Sequence, residues 1–257
     1  MIGTALITGA SSGIGKEFAK IHAQKGGNLV LVARRENNLL ELQEQLIKEF
    51  NIQVEVLSID LSAEGAAKKV YAFTQEKNIF INYLFNNAGF GGHGKFMDRD
   101  LVIDNQMIQL NVIALVELTH LYLQDMRKHK EGWILNTAST AGFLPGPLQA
   151  TYFATKAFVI SFTKALRQEL KGSGIHISAL CPGPVKTEFE KVAGMDGSDM
   201  FAKGASADST ALKGYNGLIK GKLIIFDQVS YNFLINILLP FVPNSLLSKI
   251  VEKIQTI

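Results

Sequence analysis

The chain has one cysteine, Cys181, among 257 residues. No internal disulfide can form, so a reducing compartment suits the protein and a cytoplasmic location is expected. Cys181 closes the apolar run 177–181, has no partner that would mark it as a nucleophile, and reads as a small core residue. Charge is also sparse. Lys, Arg, Asp and Glu make up 19% of residues, the net charge is +3, and neither sign gathers into a long run. A nucleic-acid surface would need a basic stripe with interleaved aromatics, so no nucleic-acid partner is expected. No stretch reaches about 18 consecutive apolar residues, so no spanning helix is expected either. The first residues pass directly into a strand at 4–8, without the basic region, apolar core and cleavage site of a leader peptide. Repeats, low-complexity tracts and interdomain linkers are missing, and no metal site is expected. What remains is a 47% hydrophobic chain, long enough for one domain over residues 1–257.

Short β-rich runs alternate with longer helical patterns. The strand candidates are residues 5–8, 29–33, 54–59, 83–86, 133–137, 177–181 and 223–226, several of them apolar on both faces. Strands in a parallel sheet covered on both sides must have that character. Between them, Ile14, Phe18 and Ile21 share one helical face, as do Leu39, Leu42, Leu46 and Phe50. The alternation specifies an α/β fold: a Rossmann-type, doubly wound parallel sheet of about seven strands, with helices on both faces. Residues 185–209 break the pattern. They are rich in Gly, Ser, Ala and Asp with scattered apolar residues, and their position after a strand's C-terminal end predicts a loop that acts as a substrate lid.

The first strand runs into Thr8-Gly9-Ala10-Ser11-Ser12-Gly13-Ile14-Gly15 and then a helix. Glycines let the backbone turn sharply and approach a pyrophosphate, and the helix N-terminus offers free N–H groups and a positive dipole end. Further on, Tyr152 and Lys156 are four residues apart on the helical stretch 151–170, hence on one face. A phenol titrates near ~10, and a neighbouring ammonium is expected to pull it down. Tyr152 could then exchange a proton with the oxygen of a carbonyl or alcohol, and Ser139, just past the strand 133–137, could hold that oxygen with its hydroxyl.

With these motifs in order, the chain resembles the short-chain dehydrogenase/reductase family. The resemblance covers roughly residues 1–189. It rests on the glycine motif, Asp60-Leu61, Asn86-Asn87-Ala88-Gly89, Asn111, Ser139, Tyr152-Phe153-Ala154-Thr155-Lys156 and Pro182-Gly183-Pro184-Val185-Lys186-Thr187. The texture, including Val32-Ala33-Arg34-Arg35, is similar to bacterial short-chain oxidoreductases, a branch with hydroxysteroid dehydrogenases and 3-oxoacyl-CoA reductases among its relatives. The resemblance implies a catalytic set of Asn111, Ser139, Tyr152 and Lys156, with the lysine also touching the nicotinamide ribose and Asn111 orienting a proton-relaying water. It implies a cofactor site formed by Gly9, Ser11, Ser12, Gly13, Ile14, Gly15, Arg34, Arg35, Asp60, Leu61, Asn87, Ala88, Gly89, Tyr152, Lys156, Pro182, Gly183, Val185 and Thr187. Asp60 is expected at the adenine ring, or as a helix N-terminal carboxylate.

Where NAD-binding sheets place an acid at the end of the second strand, this chain has Ala33 and then Arg34 and Arg35. A guanidinium can chelate a 2′-phosphate that a carboxylate would repel, so NADP(H) is expected, with Arg34 bearing most of the discrimination. The expected activity is NADPH-dependent interconversion of a carbonyl and a secondary alcohol on an apolar small molecule, with Phe90, Phe143, Leu144 and Phe189 lining the pocket. The alternatives are a non-catalytic NADP(H)-binding regulator and an NAD-dependent alcohol or hydroxysteroid dehydrogenase. The apolar helix face over residues 110–126 predicts a homodimer or homotetramer. An apolar C-terminal extension, residues 228–257, has no charge from Gln228 to Ser248. It could pack on its own core, join an oligomer, or touch a membrane surface peripherally.

Overall fold

The structure, a computed structural model, describes residues 2–256; Met1 and Ile257, the ends of the expected 1–257 unit, lie outside the described residues. β1 (Thr4–Thr8) leads to α1 (Gly13–Gln24), β2 (Asn28–Ala33) to α2 (Glu36–Phe50), and β3 (Val54–Ser58) to α3 (Ala66–Glu76). β4 (Ile81–Asn86) leads to α4 (Leu101–Ile108), which continues through a π-helical stretch (Gln109–Ala114) into α5 (Leu115–His129). β5 (Gly132–Thr137), α6 (Ala150–Glu169) and β6 (Ile175–Cys181) follow. Then come β7 (Val185–Lys186), α7 (Phe189–Val192), α8 (Asp199–Ala202), β8 (Ala205–Ser206), α9 (Ala207–Ile219), β9 (Ile224–Phe226), α10 (Val229–Phe233) and α11 (Asn244–Gln255).

Among the described residues, seven strands form one parallel sheet in the order β3-β2-β1-β4-β5-β6-β9. This is the expected Rossmann-type arrangement. The period of two explains why its strands are apolar throughout. Ala5 and Ile7 of β1 face one core with Phe18, Leu39, Leu42, Leu46 and Tyr215, from α1, α2 and α9. Leu6 between them faces the other core with Val70, Leu118, Tyr122 and Met126, from α3 and α5.

Buried polar side chains tie the sheet to the second layer. The Asn86 amide donates to Thr119 Oγ1 and Asn136 Oδ1 (both 2.9 Å), and the Asn136 amide donates to Thr163 Oγ1 (3.0 Å). These bonds fix α5 and α6 against β4 and β5. The helical run from Leu101 to His129 is 29 residues long, and its length and hydropathy would allow it to cross a bilayer. Polar residues interrupt its apolar ones, which is why a search for unbroken apolar runs misses it. In this fold Met107, Ala114, Leu115, Leu118, Tyr122 and Met126 along it are buried against the rest of the chain.

Residues 185–209, expected as a loop that acts as a substrate lid, contain short regular elements. They hold α7, α8, the β7–β8 parallel pair (Val185 with Ala205, Lys186 with Ser206) and the first residues of α9. Ala193, Met195 and Phe201 gather into a small core of their own. One-turn helices and two-residue strands are too short to carry a sequence period, so only the apolar residues betrayed order here.

His22 on α1 is fully buried. Its Nε2 lies 3.2 Å from the Gly3 carbonyl, which can only accept, so Nδ1 accepts from the Tyr215 hydroxyl at 3.0 Å. Burial holds its pKa at about 4, against 6.5 for an exposed imidazole. A lowered pKa means the unfolded chain takes up the proton first, so stability is intact above pH 6.5 and is lost as pH falls toward about 4. We predict a loss of about 3 kcal/mol over that window. Urea unfolding at pH 7 and pH 4.5 should show it, and His22→Gln should reduce the difference. An equal pH dependence in the variant would refute the assignment.

Candidate active site

The sheet order reverses between β1 and β4, and the crevice at their C-terminal ends opens into a cavity of about 750 Å³. Open parallel sheets bind ligands at such a switch point because the connections leave in opposite directions. Thr8 braces it. Its hydroxyl donates to the Phe85 carbonyl (3.2 Å) and accepts from the backbone N–H groups of Asn87 (2.9 Å) and Ala88 (3.0 Å). The Asn87 amide returns to the Thr8 carbonyl at 3.1 Å.

The turn into α1 needs its glycines. Gly9 has φ +68°, and a Cβ there would lie 3.0 Å from the Ala88 backbone. A Cβ on Gly15 would run into the Gly9 carbonyl, so the third glycine keeps the helix close to the strand. α1 starts without an acidic residue in its first turn and without a side-chain cap from Ser12. Its N-terminal N–H groups and dipole end thus suit an anion. Gly9, Ser11, Ser12, Gly13 and Ile14 line the cavity with Asp60, Leu61, Asn87, Ala88 and Gly89, whereas Gly15 supports from behind. This cradle, its volume and its rim cations fit a dinucleotide.

Tyr152 and Lys156 line the same cavity from α6, at 9% and 5% exposure. The Lys156 ammonium donates to the Thr137 carbonyl at 2.8 Å and sits 5.8 Å from the centre of the Tyr152 ring. Ser139 starts a 3-10 turn (Thr140–Phe143), where its Oγ accepts from the Ala141 N–H at 3.1 Å. The expected lowering of the phenol pKa is not what the structure produces. Burial pushes Tyr152 up to about 12, offset in part by the Ser139 hydroxyl, and brings Lys156 down to about 8. The physical reason is that desolvation opposes both charged forms, while the ammonium spends one of its three donors on Thr137 and makes no hydrogen bond to the phenol oxygen.

Asn111 lies in the π-helical stretch and is buried. Its amide bonds the Phe90 backbone twice (Phe90 N–H to Oδ1, 3.1 Å; Nδ2 to Phe90 carbonyl, 2.9 Å) and donates to Thr155 Oγ1 at 3.1 Å. The side chain is therefore spent on holding the 87–90 loop to α6, and a water there would have to be held by main chain. π-stretches of this kind concentrate at functional sites.

The rim differs from expectation in one respect. Arg34 is the more exposed arginine, 3.9 Å from Asp60, whereas Arg35 turns onto the glycine turn and donates to Ser11 Oγ through Nε (3.3 Å) and Nη2 (3.1 Å). Asp60 accepts from the Ser62 N–H (2.9 Å) and hydroxyl (2.7 Å), so it is a turn cap as well as a lining residue. Pro182, Gly183, Val185 and Thr187 form the opposite wall. Of the expected substrate contacts, Phe90, Leu144 and Phe189 line the cavity. Phe143 does not; its ring packs 5.7 Å from Phe226 in a core cluster, because the 3-10 turn directs it away from the opening.

Several residues were not legible in advance. The buried carboxylate of Asp227 accepts from the Gly183 N–H (3.1 Å) and holds that wall. The tail reaches the cavity itself: Tyr231, Leu234, Val251, Ile254 and Gln255 line it. His93 Nε2 donates to the Gln255 carbonyl (2.7 Å), and Gln149 bonds the Gln255 side chain. These contacts join residues 44, 162 and 106 positions apart, which no local pattern encodes. Thr8, the first residue of the glycine motif, reads in the sequence only as the end of the strand.

A Rossmann crevice with a glycine turn and a buried Tyr–Lys pair defines a dinucleotide-binding α/β protein. The chain belongs to the short chain dehydrogenase family, whose sequence pattern matches residues 3–196. It is 37% identical to sulfoacetaldehyde reductase 2 of Chromohalobacter salexigens over 81% of this chain and 82% of that protein. It is 32% identical to the very-long-chain 3-oxoacyl-CoA reductase of Rattus norvegicus over 73% of this chain, and spans 61% of that longer relative's length. A short-chain dehydrogenase from Sphingobium yanoikuyae, solved in complex with NADPH, superimposes with a TM-score of 0.83 at 33% identity, covering 88% of each chain.

Proposed function

We propose that the protein is an NADPH-dependent reductase of apolar ketones or aldehydes. The observation that carries this is the buried Tyr152–Lys156 pair on the floor of the cavity that the glycine turn opens. When bound, the nicotinamide cofactor supplies or accepts the hydride. Tyr152, protonated across neutral pH, donates to the carbonyl oxygen as negative charge develops there. An alkoxide is a stronger base than even a phenolate of raised pKa, so the transfer runs downhill toward alcohol. Ser139 donates a second hydrogen bond to that oxygen, and Lys156 stabilises the phenolate left behind. Phe90, Leu144, Phe153, Phe189, Val192 and Phe201 exclude water and select apolar substrates. A NADP(H)-binding regulator would not need Tyr152 and Lys156 together at the cavity floor.

Tyr152→Phe removes the transferable proton and little else. It should lower kcat by about 10²–10⁴-fold with NADPH binding nearly unchanged. Reductase kcat/KM should also fall above pH about 8, as Lys156 loses its charge. A Tyr152→Phe enzyme with more than a few per cent of wild-type kcat on a good ketone would end this mechanism.

The NADPH preference rests on Ala33, where an acid would bind a ribose hydroxyl, and on Arg35 facing Ser11. A charge-assisted contact to a 2′-phosphate contributes roughly 1.5–3 kcal/mol, or about ten- to hundredfold in affinity. Dissociation constants by tryptophan quenching should therefore favour NADPH over NADH by that ratio. Ala33→Asp with Arg34 and Arg35 both neutralised should reverse it. Equal wild-type constants would place the protein among NAD users.

We also infer a cytoplasmic homodimer or homotetramer. Ile113 and Phe158 are 40% and 42% exposed on α5's approach and α6, and Phe158 stacks on Phe162 (5.8 Å). The tail leaves them uncovered, since Leu247 and Val251 pack instead with Met107, Tyr152 and Phe153. The tail's outer face supports a second reading, shallow contact with a membrane surface: Val229 and Phe241 are 87% and 85% exposed. Light scattering at micromolar concentration should give a multiple of 28.1 kDa, which Phe158→Glu reduces. Cosedimentation with anionic vesicles, lost in Val229→Ser/Phe241→Ser, would establish the second reading. A monomeric wild-type mass removes the first, and no sedimentation removes the second.

A further inference from the structure

The guanidinium of Arg35 has a second partner. Nη1 lies 2.8 Å from Glu188 Oε2, while Nε and Nη2 are bonded to Ser11 Oγ. Glu188 follows Thr187 on the cavity wall and precedes Phe189, whose ring packs 5.3 Å from Tyr152. One carboxylate thus reaches from the segment that covers the substrate end of the cavity to the rim cation at the adenosine end. Both side chains are partly exposed, at 43% and 58%. An ion pair in that setting contributes little to stability, so its consequence lies in what else could bind Arg35.

A phosphate monoester carries nearly two negative charges at neutral pH and would seek the guanidinium edge that Glu188 now occupies. Either the phosphate displaces the carboxylate or the two anions share one cation at close range. Both cases weaken binding of a nucleotide that bears a 2′-phosphate, and neither touches one with a free hydroxyl. We propose that Glu188 is a specificity-determining residue acting through Arg35: it opposes the 2′-phosphate and sets the NADPH preference below what Arg35 alone would give. The proposal rests on the NADPH reading above.

The test is a double-mutant cycle on the full-length chain with Glu188→Gln and Arg35→Ala, both lying on the surface. Dissociation constants for NADPH, NADH, 2′,5′-ADP and 5′-ADP are measured by calorimetry at low salt. Glu188→Gln should tighten NADPH and 2′,5′-ADP by about two- to fivefold and leave NADH and 5′-ADP unchanged, the size expected for one partly exposed charge pair. On the Arg35→Ala background the same substitution should have a clearly smaller effect. The gain should shrink in high salt. Weaker NADPH binding in Glu188→Gln would make the carboxylate a support for Arg35 and overturn the proposal. So would an equal shift for all four nucleotides, or no shift at all. If the wild-type chain binds NADPH and NADH equally, the underlying cofactor reading fails, and the proposal with it; a wild-type NADPH preference with an unaltered Glu188→Gln protein defeats the proposal alone.

Discussion

The reversal of strand order at β1 and β4 is the constraint from which the site follows. Connections leaving in opposite directions open a crevice there, and a crevice at strand ends exposes backbone groups that need partners. Thr8 resolves this by supplying one hydroxyl to two N–H groups and one carbonyl across the gap. With the 87–90 loop so pinned from β1 and from Asn111 on the other side, Gly9 can pass within contact of Ala88. The glycine turn, the opposing loop and α6 therefore form one rigid frame, and the cavity is the space they leave.

Burial then does the chemical tuning. Placing a phenol and an ammonium on a buried floor drives their pKa values apart, Tyr152 up to about 12 and Lys156 down to about 8, and opposes charge on either. A proton donor that stays protonated at neutral pH beside a cation that can still accept a new negative neighbour is suited to catching an alkoxide. The same low-dielectric setting raises the Cys181 thiol to about 12, which keeps it inert next to the site.

Features written in short sequence periods were legible. The strands fall within one or two residues of expectation because alternation and apolar runs survive any tertiary context. The glycine turn and the Tyr152–Lys156 spacing are local geometry in the same sense. What escaped was set by contacts at distance. Phe143 sits beside a lining residue in sequence but faces Phe226; Arg35 rather than Arg34 meets Ser11; the Tyr152 pKa moves opposite to what its neighbour alone suggests. In each case the deciding quantity was side-chain direction or burial, neither of which a residue type specifies.

The tail shows how the two kinds of information combine. Its lack of charge marked it as apolar, and α11 buries Leu247 and Val251. Composition could not say against what. The partners prove to be Met107 of α4 and Tyr152 and Phe153 of α6, so the extension is a wall of the cavity. Its position is fixed by polar contacts at the very end, from His93 and Gln149 to Gln255. This wall packs directly on Tyr152 and Phe153 of the cavity floor, whereas the glycine turn is braced separately, by Thr8. The matched family pattern covers residues 3–196, and the residues of this wall, from Tyr231 to Gln255, follow it.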